Sequence, residues 1–269
     1  MLKKALTIAG SDSSGGAGIQ ADLKSFAANG VYGMSVITAV TAQNTQGVRA
    51  VADIPAAVIQ QQMEAVFEDI AVDAVKIGMV SQVETIAAVS GHLVQYQARN
   101  VVVDPVMVSK SGFQLLQPDA VAALIDKLLP LAMLLTPNIP EAEIIAGMNI
   151  HTLHDMEEAA ARIFQMGPRN VLLKGGHLPD AATDILFDGR EYHHFPAARI
   201  PTKNTHGTGC TLSSAIAANL AKGMAIREAV RLAKEYLTVA IAHSLDIGKG
   251  VGPTHHFYDL YRKAGILDE

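Results

Sequence analysis

"ALTIAGSDSSGGAGIQADLKSF", residues 5–26, decides the fold. "ALTIAG" is a short apolar run, the pattern of a buried strand. Four glycines and three serines lie within "GSDSSGGAGIQAD", so a small-residue turn follows it. Over residues 18–29, Ile19, Leu23, Phe26 and Ala27 share one helical face, and Gly30 supplies a stop. Strand, glycine-rich turn and helix in that order are the opening unit of an α/β sheet.

The same alternation continues outward. "MSVITAVTAQ" is a strand rich in β-branched residues, and "AVKIG" (74–78), "NVVVDPVM" (100–107), "AMLLTPN" (132–138) and "NVLLKGG" (170–176) are further strands. Helical patterns fall near 56–69, 82–97, 118–129, 140–147 and 154–166. Near-continuous apolar strands joined by helices predict a mostly parallel sheet covered on both faces. In "TDILFDGREYHHF" two strand-like runs flank Asp188-Gly189, which predicts an antiparallel addition near the sheet edge. Helices over 211–222 and 226–245 complete the chain, and no repeat or linker divides it, so one domain is expected over 1–269.

The 269 residues are 49% hydrophobic and 17% charged, enough apolar material for a large core. A net charge of −5 with no basic cluster argues against a nucleic-acid partner. The apolar run of "MLKKALTIAGSD" is too short for a signal peptide, and "LLPLAMLLTPN" is too short to span a membrane. One cysteine excludes an internal disulfide and suits a reducing compartment, so a soluble cytoplasmic protein is expected.

Three constellations carry chemistry. The loop 10–22 lacks the Gly-Lys-Ser/Thr of a Walker loop and the third glycine of a dinucleotide fingerprint. Its many small residues still favour close ligand approach over a merely flexible turn. In "HGTGCTL", 206–212, Gly207 and Gly209 precede a helix start at Cys210, whose free N–H groups suit a phosphate or an oxyanion. Cys210 by itself reads as a buried small residue. Asp104, Asn138, Glu141 and Lys174 stand at or just past strand ends. Two acids and an amide fit a hydrated Mg²⁺, and a lysine fits phosphate. Each of them singly is a cap or a solvated rim, as are Asp12 and Asp22, while His255-His256 reads as packing or capping. Together they suggest phosphoryl transfer without a Walker motif.

These stretches, with "VITAVTAQNTQGV", "VKIGMV", "VVVDPVMVSKSG", "LLTPNIPEAE", "LLKGGH", "TKNTHGTGCTLSSAIAANLAKG" and "GVGPTHHF", occur in the order found in a known family. The chain resembles the hydroxymethylpyrimidine and phosphomethylpyrimidine kinases of thiamine biosynthesis, within the ribokinase-like superfamily. The resemblance covers nearly the whole chain. It implies a three-layer αβα sandwich, ATP and Mg²⁺, and a homodimer. It implies a pyrimidine pocket of Gly10, Ala17, Asp22, Thr41, Gln43, Met79 and Val106, with Gln43 bonding the ring. Asn138 and Glu141 match an Asn-x-x-Glu motif that organises Mg²⁺ and phosphate, with Asp104 a second metal-side acid. Lys174, Thr205, Gly209 and Asp184 fall on the ATP side. Gly207, Thr208 and Gly209 match the anion hole and Cys210 the catalytic base, where sugar kinases have Asp. "VSKSGFQLL" matches a flap, with Phe113 where many relatives have Asp, and the extra catalytic domain of some relatives is lacking. A pyridoxal kinase is the close rival, weakened by the flap's lack of a second cysteine. A non-catalytic ligand sensor on the same fold is the remote one.

Overall fold

The computed structural model describes residues 1–108, 112, 114–117, 119–176 and 182–267. Residues 109–111 and Phe113 of the flap, and His177 of "LLKGGH", lie outside the described residues.

The opening stretch folds as read: β1 (Lys4–Asp12), a turn, then α1 (Gly18–Ala28), closed by Gly30 at a φ of 71°. There follow β2 (Tyr32–Asn44), β3 (Gly47–Asp53), α2 (Ala56–Phe67), β4 (Ala74–Ile77), α3 (Val83–Gln95) and β5 (Val101–Val103). Then come α4 (Ala120–Ala123), β6 (Leu134–Leu135), α5 (Ile139–Ala146), α6 (Leu153–Phe164) and β7 (Val171–Leu173). The chain ends with β8 (Asp184–Phe187), β9 (Tyr192–Phe195), α7 (Thr208–Ala221), α8 (Ile226–Ala242) and α9 (Tyr258–Lys263).

The strands form one sheet in the order β3-β2-β1-β4-β5-β6-β7-β8-β9. Pairing is parallel from β2 through β7 and antiparallel at both edges. The Asp188-Gly189 hairpin is therefore present, at the β7 edge. At the other edge β3 pairs with β2, an addition the sequence reading lacks. Most of β3 is exposed or half-buried, so it has no continuous apolar run to announce it.

Strand alternation divides the core between two helical layers. Leu6, Ile8, Val75, Ile77, Val101, Val103 and Leu173 pack toward α2–α6. Ala5, Ala74, Val102, Leu134 and Leu172 pack toward α1, α7 and α8. Lys76 falls on the second face by the same alternation, and its side chain is wholly buried. Several strands are shorter than their apolar runs because Pro105 and Pro137 cannot donate to a ladder. The helix expected over 118–129 begins at Ala120 and loosens into a π turn, Leu124–Leu128, and a 3₁₀ turn containing Pro130. Among the described residues, no helix is long and apolar enough to cross a membrane.

Candidate active site

From β1 the chain passes to β2 on one side of the sheet and later to β4 on the other, so the carboxyl ends of β1 and β4 flank a crevice. There a cleft of about 1230 Å³ opens beside the N-terminus of α7. Gly10, Ala17, Thr41, Gln43 and Met79 reach it from the β1, β2 and β4 ends, and Asp104 and Val106 from the loop after β5. Asn138, Glu141, Lys174 and Asp184 line its β6–β8 side, and Thr205 and Gly207–Cys210 its helical wall. Sixteen candidate positions scattered over the sequence, from Gly10 to Cys210, thus meet in one place.

Asp22 is the departure. It is fully buried and does not line the cleft. Its carboxylate accepts from Thr7 Oγ1 at 2.6 Å, Ser214 Oγ at 2.7 Å and Lys76 Nζ at 2.9 Å. The alternation that puts Thr7 and Lys76 on the α1 and α7 face brings them to Asp22, so this acid serves the layer beneath the site.

The first glycine-rich loop also differs from expectation. Three of its amides do not face a ligand, because Asp12 takes them, and the Gly18 N–H is directed at the Cys210 thiol. The carboxylate accepts from the N–H groups of Ser14 (2.8 Å), Gly16 (3.1 Å) and Ala17 (2.8 Å), and from Ser14 Oγ and His206 Nε2, each at 2.7 Å. Burial alone would raise this carboxyl, but the bonds from His206 and Ser14 outweigh it and hold Asp12 well below the usual carboxylate range.

The second loop keeps its amides. Gly207 caps α7 with a φ of 79°, and a Cβ there would stand 1.7 Å from Gly16 O, so the two loops meet backbone to backbone. Thr211 N closes the first helical bond, onto Gly207 O at 2.9 Å, and among the described residues the N–H groups of Gly209 and Cys210 have no acceptor. A Cβ at Gly209 would lie 3.4 Å from Asp104 Oδ2 and 3.5 Å from Lys174 Nζ, so those charges face the anion hole directly.

Asp104 and Lys174 pair at 2.9 Å, and Asp104 also accepts from Thr136 and Ser213. Burial would raise Asp104, but Lys174 and Lys76 outweigh it and hold the carboxyl low. Asn138 and Glu141 form a capping box on α5: Asn138 N donates to Glu141 Oε2 at 2.8 Å, and Glu141 N to Asn138 Oδ1 at 2.9 Å. Burial, only partly offset by Lys174, pushes Glu141 up to about 7. Asp184 accepts from Gly175 N at 2.9 Å and Lys234 Nζ at 2.6 Å, so its charge is spent on the wall. Cys210 is partly exposed, and burial of its thiol outweighs Lys76 and pushes it up to about 11. A helix start is thus insufficient to ionise it.

Several cleft residues were not singled out from sequence, among them Lys76, His206 and Lys234. Lys76 was legible only as a lysine inside an apolar strand, and His206 only as the residue before Gly207. Lys234 lies on the cleft side of α8, where it reads as an ordinary helix-surface cation.

No group of three or more His, Cys, Asp or Glu among the described residues could hold a metal ion by itself. The two buried carboxylates of Asp104 and Glu141 still fit a Mg²⁺ that takes most of its ligands from phosphates and water: Glu141 is raised partly by the like charge of Asp104, a repulsion that a cation removes.

Known proteins agree with this architecture. A family model described as phosphomethylpyrimidine kinase matches residues 12–255. The hydroxymethylpyrimidine/phosphomethylpyrimidine kinase of Rhizobium meliloti is 58% identical over 262 residues, 96% of this chain and 98% of the relative. The solved phosphomethylpyrimidine kinase of Clostridium difficile 630 is 55% identical, with a TM-score of 0.81 over 89% of this chain and 99% of that one. An ADP complex of Bacillus subtilis pyridoxal kinase is 42% identical, with a TM-score of 0.89 over 96% and 98% of the two chains. The sheet with its flanking helices is the ribokinase-like fold of these neighbours, and the chain belongs to the phosphomethylpyrimidine kinase family.

Proposed function

We propose that the chain transfers the γ-phosphoryl group of ATP to the hydroxymethyl oxygen of 4-amino-5-hydroxymethyl-2-methylpyrimidine, and then phosphorylates the monophosphate to the diphosphate, for thiamine biosynthesis. One observation carries this: Gln43, Met79 and Val106 on one side and Asn138, Glu141 and Lys174 on the other share a single cleft, with the amides of Gly209 and Cys210, unpaired among the described residues, at its helical wall.

In this reading Gln43 bonds the aminopyrimidine edge, and Gly10, Ala17, Met79 and Val106 sandwich the ring. Asn138, Thr205 and Lys174 hold the nucleotide, Lys174 by charge on phosphate. Asp184 belongs to the same wall and keeps Lys234 in place there. Glu141, assisted by Asp104, would hold Mg²⁺, and the ion would neutralise phosphate charge there. Gly207, Thr208 and Gly209 shape the anion hole, whose N–H groups take charge from the transferring group. Cys210 Sγ takes the hydroxymethyl proton. Its thiolate is a minor form at neutral pH, and Lys76 is the cation placed to favour it, so turnover rises with pH. The reading also carries a cytoplasmic homodimer acting as one kinase domain per chain.

Pyridoxal kinases share the fold, but the chain has one cysteine, so a second thiol at the flap is absent. Lys174, Glu141 and Cys210 all stand in the cleft, against a catalytically silent sensor. Steady-state assays with MgATP and the pyrimidine, its monophosphate or pyridoxal test the assignment. The expected result is a higher kcat/KM for the pyrimidine and formation of its diphosphate; a higher value for pyridoxal would overturn it.

A further inference from the structure

We infer, on the reading of Gln43 as the ring contact, that His206 and Thr41 lock the Gln43 amide into one of its two orientations and so make the cleft prefer a 4-amino over a 4-oxo pyrimidine. His206 and Thr41 are positioning residues here.

Asp12 accepts three backbone N–H groups as well as His206, so its carboxylate is an ionised acceptor. His206 Nε2, 2.7 Å from Asp12 Oδ2, must therefore carry a proton and donate it there. One end of the Gln43 amide lies 3.3 Å from that same Nε2. It can only accept. The other end lies 3.2 Å from Thr41 Oγ1, whose single proton goes to Ser11 O at 2.7 Å. That end can only donate. As drawn, the nitrogen faces His206 and the oxygen faces Thr41, which sets donor against donor at His206 and acceptor against acceptor at Thr41. A half-turn of the amide, which leaves its shape unchanged, removes the conflict. Oε1 then faces His206 and Nε2 faces Thr41. The backbone of Gln43 is held as well, by a reciprocal pair of bonds with Ser13 Oγ at 2.7 and 2.8 Å.

The locked amide keeps one lone pair and one N–H for the cleft. A 4-aminopyrimidine offers their complement, an amino N–H and a ring-nitrogen lone pair. A 4-oxo analogue offers the reverse, a carbonyl oxygen and a ring N–H. The ring cannot turn over to compensate, because its hydroxymethyl group must reach Cys210. Accepting the analogue would need the amide to turn back and lose both His206 and Thr41. Sites that bond a substrate in this way reject an analogue with mismatched donors strongly.

The test is the ratio of kcat/KM for the 4-amino substrate and its 4-oxo analogue in the parent, His206→Phe, Thr41→Val and Gln43→Ala. Unlocking the amide lets it serve either ring. His206→Phe is expected to lower the ratio at least tenfold with KM for ATP within twofold of the parent, and Thr41→Val to lower it in the same direction. Should His206→Phe fail to fold, Thr41→Val decides alone. Parent-like ratios in the folded variants, with a lowered ratio in Gln43→Ala, would overturn the lock and keep Gln43 as the ring contact. A parent-like ratio in Gln43→Ala would overturn the ring contact itself, and the lock with it.

Discussion

The loops at 10–18 and 206–210 resemble one another in sequence, each glycine-rich and each leading into a helix, yet only one keeps its amides free. In the first, Asp12 collects the N–H groups of Ser14, Gly16 and Ala17. In the second, the N–H groups of Gly209 and Cys210 have no acceptor among the described residues, and Asp104 and Lys174 stand beside Gly209. The difference teaches that glycine content marks where backbone can come close. What occupies the amides decides whether that closeness serves structure or a ligand. Here the first loop is a wall, the second the anion hole, and Gly207 against Gly16 joins them.

The sharpest way to break this contrast is to remove the reactive group of the second loop. Cys210→Ala should lower kcat by about 10²–10⁴, the worth of general-base assistance, with a melting temperature near the parent's. A folded variant within a few-fold of parental turnover would make Cys210 a packing residue. For the first loop the expectation is inverted. Asp12→Ala leaves three amides and His206 without their acceptor, and breaking a buried pair of this kind costs about 3–5 kcal/mol. At roughly 2–4 °C per kcal/mol for a chain of this size, the melting temperature should fall by about 6 °C or more. An unchanged melting curve would deny the loop its structural role.

The thiol itself sharpens the contrast further. With Cys210 at about 11, its alkylation by iodoacetamide in the ligand-free protein should rise about tenfold per pH unit from 7 to 10. A plateau near pH 8 would show that the helix start outweighs burial. The smallest effect concerns Glu141. Its folded value of about 7 exceeds its ordinary 4.5, so between those values the folded chain holds a proton that the unfolded chain has lost. That stability is complete below about 4.5 and is lost as pH rises through about 7. The ligand-free melting temperature should therefore decline by a few degrees from pH 6 to 8 in the parent, and by less in Glu141→Gln. Equal declines would remove Glu141 as the source.

The parallel strands and their order along the chain were legible because buried strands are apolar throughout and their helices are amphipathic. The edge strand β3 was not, since an exposed strand has no such run. Asn138 and Glu141 were legible as a spaced pair before a helix, and their capping box shows why that spacing works. The separate duties of Asp12 and Asp22 were not. Both acids flank the same loop, and only tertiary neighbours send one onto amides and the other onto Lys76. The resting thiol of Cys210 was equally hidden, because the burial that raises it comes from residues remote in sequence.

The most direct test compares the two loops in one experiment. Backbone amide shifts of Gly16, Ala17, Gly209 and Cys210 can be followed by ¹⁵N–¹H NMR during titration with Mg²⁺ and a non-hydrolysable ATP analogue in the presence of the pyrimidine. The account predicts large shifts at Gly209 and Cys210 and small ones at Gly16 and Ala17. Large shifts at Gly16 and Ala17 with Gly209 and Cys210 unmoved would contradict it.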